Sequence, residues 1–174
     1  MVCHRADLML QGGLMKEILE ILEQNGRATP EQISAMVGKP VGEVKKAIKR
    51  AEKDGIILKY KAIVNWPKLE EEDVWALIEV RVTPQRGVGF DVIAERVYQF
   101  PEVYSAYLVS GTYDLSVLVR GKTMQEIASF VAEKLAPLEQ VQSVVTHFLL
   151  KRYKEYGETF RVLKETNRRL PITP

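Results

Sequence analysis

Cysteine is almost absent. Cys3 is the only one in 174 residues, so no internal disulfide can form and no cysteine-based zinc site can be assembled. Histidine is nearly as scarce, with His4 and His147 alone, which leaves no metal-ligand spacing and no evident catalytic triad. No apolar run approaches the roughly 20 residues that cross a bilayer. The opening residues carry Arg5 and Asp7 without a long apolar core, so they do not read as a secretory signal. What is present is ordinary for a globular protein. Hydrophobic residues reach 46% and charged residues 28%, enough for one large domain or two small ones without a covalent or metal staple. A cytoplasmic protein with no metal, no cofactor and no catalytic residues is the expectation.

The net charge of +2 conceals an uneven distribution. Residues 1–66 hold 11 Lys+Arg against 8 Asp+Glu, residues 67–150 hold 7 against 12, and residues 151–174 hold 7 against 3. The stretch 39–61 alone has 8 basic and 3 acidic residues. A basic surface beside an acidic body suits a protein that touches a polyanion with one part only, and a solvated helix face accounts for the count as well.

Residues 1–13 show no periodicity, and helical order is expected from Leu14, with Leu14, Ile18, Ile21 and Leu22 on one face and Asn25-Gly26 as the stop. Gly12-Gly13 can be encoded by GGAGG and Met15 follows two residues later, where a start codon would follow a ribosome-binding site. Translation from Met15 is therefore a hypothesis that N-terminal sequencing of the native protein tests. Thr29-Pro30-Glu31-Gln32 then places a threonine at the N-cap, proline at the first helical position and glutamine three residues after the cap. Ile33, Met36 and Val37 form a short buried stripe, and Gly38 stops the helix. A third helix has Val41, Val44, Ile48 and Ala51 inward and Lys45, Lys46, Lys49, Arg50 and Lys53 on the other face, ending at Gly55. The period then alternates. Ile56, Leu58, Tyr60, Ala62 and Val64 lie on one side and Lys59 and Lys61 on the other, an extended ribbon or hairpin wing.

Helix, short helix, tight turn, basic helix and basic ribbon make a winged helix-turn-helix over residues 14–65. In such a module the second helix of the pair enters the major groove and its N-terminal residues meet base edges, while cations along it neutralise phosphates. The candidate DNA contacts are Lys39, Gly42, Glu43, Lys45, Lys46, Lys49, Arg50, Lys59 and Lys61. Three helices packed for purely structural reasons share the pattern; the basic third helix favours double-stranded DNA.

Residues 66–73, with Pro67 and four consecutive acids, read as an exposed linker. From residue 74 the order is strand (Val74 to Thr83), helix (Phe90, Ile93, Ala94, Val97, Tyr98), strand (Val103 to Val109), strand (Tyr113 to Arg120), helix (Ile127, Val131, Leu135) and strand (Val141 to Lys151). Ser110-Gly111-Thr112 joins the middle strands, and Thr123 with Glu126 forms a second capping box. The fold class is α+β, with a ferredoxin-like βαββαβ domain over 74–156 and a polar tail over 157–174 that opens as a short helix. Trp75, Leu77 and Tyr104 leave the sheet apolar on both faces, which asks for a partner; sheet-to-sheet dimerisation supplies one, and reading a pseudo-palindrome also needs two copies. His147 reads as a packed or interfacial side chain, and Lys151, Arg152 and Lys154 as solvating the end of the last strand.

The chain resembles the leucine-responsive regulatory protein/AsnC family of transcriptional regulators. The resemblance covers residues 15 to 156 and rests on KAIKRAEKDGIILKYKAIVN (46–65), LVSGTYDLSVLVRG (108–121) and VVTHFLLKRYK (144–154), with Gly111-Thr112-Tyr113-Asp114 its most specific element. It implies a homodimer built through the ferredoxin-like domain, often an octamer of four dimers. It also implies a small effector, an amino acid or related metabolite, bound between dimers. Carried onto this sequence, the effector residues are Ser110, Gly111, Thr112, Tyr113 and Asp114, with Thr146 of a neighbouring subunit adding a hydroxyl; Val144 stands where another threonine is frequent. By themselves the residues allow two accounts of Asp114. Its carboxylate could hold an ammonium through a charge-assisted bond, or Gly111 simply turns a hairpin and Asp114 is a solvated strand-end residue. Two other functions stay open beside DNA-dependent regulation. One is an enzyme like the siroheme decarboxylases, which keep this two-domain scaffold; the other is a ligand-binding assembly protein without DNA readout.

Overall fold

The computed structural model describes residues 3–69, 73–84 and 89–160, with side chains from residue 13 onward. The chain divides into two compact units, Met1–Val64 and Asn65–Pro174.

The first unit has three helices: α1 (Cys3–Gln24), α2 (Pro30–Val37) and α3 (Val41–Lys53). Ile18, Leu22, Ile33 and Val44 form its buried centre, and Leu14, Ile21, Val37, Ala47, Ile48 and Ile57 pack around them. Helix α1 begins at Cys3, eleven residues before the expected start. Ala6, Leu8, Met9, Leu10 and Gln11 are strong helix formers, and propensity needs no amphipathic period to act. Gly12-Gly13 lowers that propensity by about 1 kcal/mol per residue without ending the helix.

The start of α2 is closed from both sides. Gln32 N–H donates to Thr29 Oγ1 at 3.3 Å, and Thr29 N–H donates to Gln32 Oε1 at 2.9 Å. Gly38 ends the helix in the left-handed region at φ 65°, where a side chain would be strained. Met36 is 67% exposed, contrary to the buried stripe expected of it.

Residues 58–65, after the bend at 56–57, belong to no strand ladder among the described residues. The segment is tied to α3 instead. Ile56 and Ile57 N–H groups both donate to the Ala51 carbonyl, and the Tyr60 hydroxyl donates to Glu52 at 3.1 Å. Burial, then the Glu52 carboxylate, pushes the Tyr60 hydroxyl above its ordinary value. Ile57 is drawn into the core, while both sides of the alternation over 58–64 stay exposed in one chain.

The second unit has β1 (Val74–Val82), α4 (Asp91–Tyr98), β2 (Val103–Leu108), β3 (Leu115–Gly121), α5 (Met124–Phe130) and β4 (Val141–Phe148). The four strands form one antiparallel sheet in the order β2-β3-β1-β4, the ferredoxin-like arrangement. Ala76, Ile78, Val80, Leu115, Val117 and Val119 line its helix-covered face and are fully buried with Ile93 and Val97 of α4 and Ile127 and Phe130 of α5. After Phe130 the helix widens into a π turn, Val131–Leu135. Thr123 caps α5 by accepting from Glu126 N–H at 3.1 Å, but Glu126 reaches past the cap to the Lys122 N–H at 2.6 Å.

Four boundaries differ from the sequence reading. Trp66–Leu69 form a turn of 3₁₀ helix, and Asp73 is held by Arg120 and Lys122, so the described parts of 66–73 are structured rather than a free linker. Strand β3 begins at Leu115, because the Val109 N–H to Asp114 carbonyl bond closes a longer turn. Strand β4 ends at Phe148. Finally, β5 (Lys154–Glu155) and β6 (Glu158–Thr159) make a small hairpin where a short helix was expected. Tyr156 and Gly157 have φ of 49° and 83°, the paired left-handed geometry of a two-residue hairpin turn. The rest of the tail lies outside the described residues.

Candidate functional site

The turn between α2 and α3 is fixed by Ser34. Its carbonyl accepts from the N–H groups of Gly38 and Lys39, and its hydroxyl donates to the Lys39 carbonyl at 2.5 Å. The bonds that close this turn use the backbone of Lys39 and leave its side chain out.

Helix α3 has two distinct faces. Val44 and Ala51 are buried, with Ala47 and Ile48 partly so. Opposite them, Gly42, Lys46, Lys49 and Lys53 recur at i, i+4, i+7 and i+11, one exposed stripe along the helix. No ion pair engages Lys46, Lys49 or Lys53 among the described residues. The flanking cations are engaged: Lys45 pairs with Glu31 of α2 at 2.8 Å and Arg50 with Asp54 at 3.3 Å. The Lys45 ammonium, followed by Glu31's own backbone bond, holds the Glu31 carboxyl below its ordinary value. Glu43 lies in the exposed first turn beside Gly42. Lys59 and Lys61 are exposed on the segment that follows α3. Lys53, on the basic face in sequence but not among the candidate contacts, completes the stripe.

Gly42 is informative because nothing local requires it. A Cβ there would meet no atom within 4 Å, and its φ lies outside the left-handed region. Glycine inside a helix costs about 1 kcal/mol relative to alanine, and no contact within the unit accounts for that cost.

The 110–114 turn is built from β1. Arg81 donates from Nε and Nη2 to the Thr112 carbonyl at 3.1 and 2.6 Å, and its guanidinium lies 5.8 Å from the Tyr113 ring centroid. Val82 N–H donates to Asp114 Oδ2 at 2.9 Å. Ser110, Gly111 and Thr112 are exposed, with Gly111 at φ 149°. Asp114 thus has a structural task, while its second carboxylate oxygen has no partner among the described residues. Thr146 lies on β4 opposite Ile78, on the far flank of β1, so one chain does not bring all six candidate effector residues together. Arg81 was missed in sequence; its alternation on β1 signals only an exposed cation.

The sheet face away from the helices carries Trp75, Leu77, Glu79 and Arg81 of β1 opposite Arg120, Leu118 and Ser116 of β3, and Val145 and His147 of β4. His147 Nε2 lies 3.1 Å from Glu79 Oε2. Tyr104 meets Trp75 edge-on at 4.9 Å between centroids. No cluster of three or more potential metal ligands occurs among the described residues, and no helix there is long and apolar enough to cross a membrane.

Comparison with known proteins identifies both units. Residues 14–57 match the winged helix-turn-helix DNA-binding family, and residues 75–159 match the Lrp/AsnC ligand binding domain. The chain is 50% identical over 159 residues to the HTH-type transcriptional regulator YugG of Bacillus subtilis, spanning 91% of this chain and 95% of that protein. It is 29% identical over 143 residues to the HTH-type transcriptional regulator FL11 of Pyrococcus furiosus, spanning 82% and 91%. Among solved structures, E. coli AsnC shares the fold with a TM-score of 0.64 at 20% identity, over 82% of this chain and 94% of that one. A transcriptional regulator of Neisseria meningitidis, solved with L-Met, has a TM-score of 0.65 at 25% identity, over 82% and 91%. The chain belongs to the Lrp/AsnC family of HTH-type transcriptional regulators, and is a DNA-binding regulator with a ligand-binding domain.

Proposed function

We propose that the protein acts as a homodimer, or as an octamer of four dimers, that reads a pseudo-palindromic operator through α3 and responds to an amino acid held at the 110–114 turn. The observation that carries this reading is the stripe Gly42, Lys46, Lys49 and Lys53, exposed and free of internal ion pairs among the described residues. The first turn of α3, with Gly42, Glu43 and the preceding Lys39, faces base edges. Lys46, Lys49 and Lys53 meet phosphates, releasing counterions. Lys45 and Arg50 flank that contact and exchange Glu31 and Asp54 for DNA where they reach it, with Lys59 and Lys61 beyond them.

Pairing uses the open face of the sheet. Leu77, Leu118 and Val145 are only half-buried in one chain, and stacking two such faces at about 10 Å removes them from water. The effector reading is supported by the unpartnered oxygen of Asp114 and by the exposed Ser110, Gly111 and Thr112. A carboxylate there accepts a charge-assisted bond from an α-ammonium, and Thr146 of a neighbouring subunit closes the site. The Neisseria meningitidis relative solved with L-Met supports an amino acid as the ligand class.

Selection of genomic fragments by the full-length protein at low salt, with and without pooled amino acids, tests both halves. Recovered fragments are expected to share inverted half-sites one helical turn or a multiple apart, with the recovered set changing when amino acids are added. Fragments without inverted repeats overturn the dimeric readout; an unchanged set overturns the amino-acid response.

A further inference from the structure

The N-terminal end of β1 and the chain leaving β4 enclose a hollow of about 280 Å³ that the reading above does not use. Trp66, Trp75 and Phe160 supply its aromatic walls. The two tryptophans are the only ones in the chain. The Arg152 guanidinium lies 4.7 Å from the Trp75 centroid and 5.6 Å from that of Phe160, and its Nη1 donates to Glu155 at 2.8 Å. It is thus within cation–π distance of two rings and bonded to a carboxylate. Lys151 adds a second cation to the lining. Asp73 also lines the hollow, but Arg120 and Lys122 occupy its carboxylate. The lining side chains and their direct ion-pair partners therefore bring four cations, Lys151, Arg152, Arg120 and Lys122, against two carboxylates, Asp73 and Glu155.

Flat apolar walls combined with surplus positive charge define a ligand class. We propose that this hollow is a second small-molecule site, one that takes an aromatic carboxylic acid with its ring against Trp66 and its carboxylate toward Lys151 and Arg152. Its size sits at the lower end of ligand pockets, about 300 Å³, and suits a one- or two-ring body. It is separate from the 110–114 turn, because Trp75 and Arg81 are six residues apart on β1, roughly 20 Å by strand rise. Asn65, Trp66 and Pro67, which directly follow the last residue of the DNA-binding unit, form one wall. A ligand here touches the first residues of the second unit.

Because both tryptophans face the hollow, their emission reads it directly. Full-length protein titrated with phenylacetate is expected to show a saturable change in tryptophan emission. Acetate, which lacks the ring, and benzyl alcohol, which lacks the charge, are each expected to bind at least about tenfold more weakly. Lys151→Glu is expected to weaken phenylacetate about tenfold or more, and the milder Lys151→Gln to weaken it less, whereas Arg81→Ala at the other end of β1 leaves it unchanged. No saturable change, equal binding of benzyl alcohol, or undiminished affinity in both Lys151 variants overturns the proposal. Loss of binding in Arg81→Ala assigns the ligand to the turn and also overturns it. So does a tryptophan shift that follows protein concentration without responding to phenylacetate, since a second copy then fills the hollow.

Discussion

Val82 N–H donates to Asp114 Oδ2 at 2.9 Å, at the point where two features of the sheet coincide. The β1–β3 ladder ends at Val80 opposite Leu115, and the register of β1 against β4 slips between Arg81 and Val82. A side-chain oxygen takes over where the backbone ladder stops, so the carboxylate serves the fold before it serves any ligand.

The two roles of Asp114 separate by substitution. Asp114→Ala leaves the half-buried Val82 N–H without its acceptor and is expected to cost about 1–2 kcal/mol in urea unfolding. Asp114→Asn keeps a carbonyl oxygen and is expected to cost less than about 0.5 kcal/mol while abolishing an amino-acid response that needs the charge. Equal destabilisation by both variants would sink the acceptor argument; an intact response in the asparagine variant would sink the ammonium argument.

Gly42→Ala sets stability against function. With open space around the position and an ordinary φ, alanine is expected to stabilise the DNA-binding unit by about 0.5–1 kcal/mol, read as a higher melting temperature. If the bare backbone exists for close approach to DNA, operator affinity falls at the same time. A variant that is both more stable and equally tight would show that Gly42 has no part in the interface.

The ion pairs on α3 rank its lysines. Replacing Lys46 or Lys49 by alanine is expected to reduce the slope of log affinity against log salt by about 0.9 each if each meets one phosphate. Lys45→Ala is expected to change it less, because Lys45 is already paired with Glu31. A salt series on the three variants measures this, and a larger effect at Lys45 would move the interface toward α2.

Asp73 gives a pH dependence with a definite sign. Lys122, then Arg120, hold its carboxyl below the ordinary value of 3.8. The stability this contributes is complete above that value and is lost as pH falls through the lower folded value. Asp73→Asn is expected to lower the melting temperature at neutral pH and to flatten its decline below about pH 4. Parallel acid limbs in the two proteins would remove Asp73 from the account.

Local signals in the sequence carry most of the fold. Thr29 and Gln32 announce the start of α2 because a capping box is complete within four residues, and the alternation along Val74–Val82 identifies its buried face because the period of a strand is 2. What escapes is long-range or governed by geometry. Pairing of Lys45 with Glu31 removes one free cation from α3, and no spacing rule relates positions on different helices. Arg81 on Thr112, Val82 on Asp114 and Arg152 on Trp75 all join residues more than thirty positions apart. The inward place of Ile57 is not legible in the alternation over 56–64, because the Ala51 carbonyl at the end of α3 holds its N–H, a constraint set by helix termination rather than by strand period. The Tyr156-Gly157 turn carries only one glycine as its signal, and polar neighbours hide the two short strands around it.

Strand β1 is paired on both flanks, with β3 on one side and β4 on the other, and Ile78 and Val80 are wholly buried at its centre. Its amides can meet deuterium only when the whole ligand-binding unit opens, so their protection measures the global stability of that unit. Residues 58–64 have no ladder to break and are expected to exchange within the dead time of the experiment. One hydrogen-exchange profile of the free protein thus contains both extremes, and any binding event that orders the 58–64 segment will register there first as newly slowed amides.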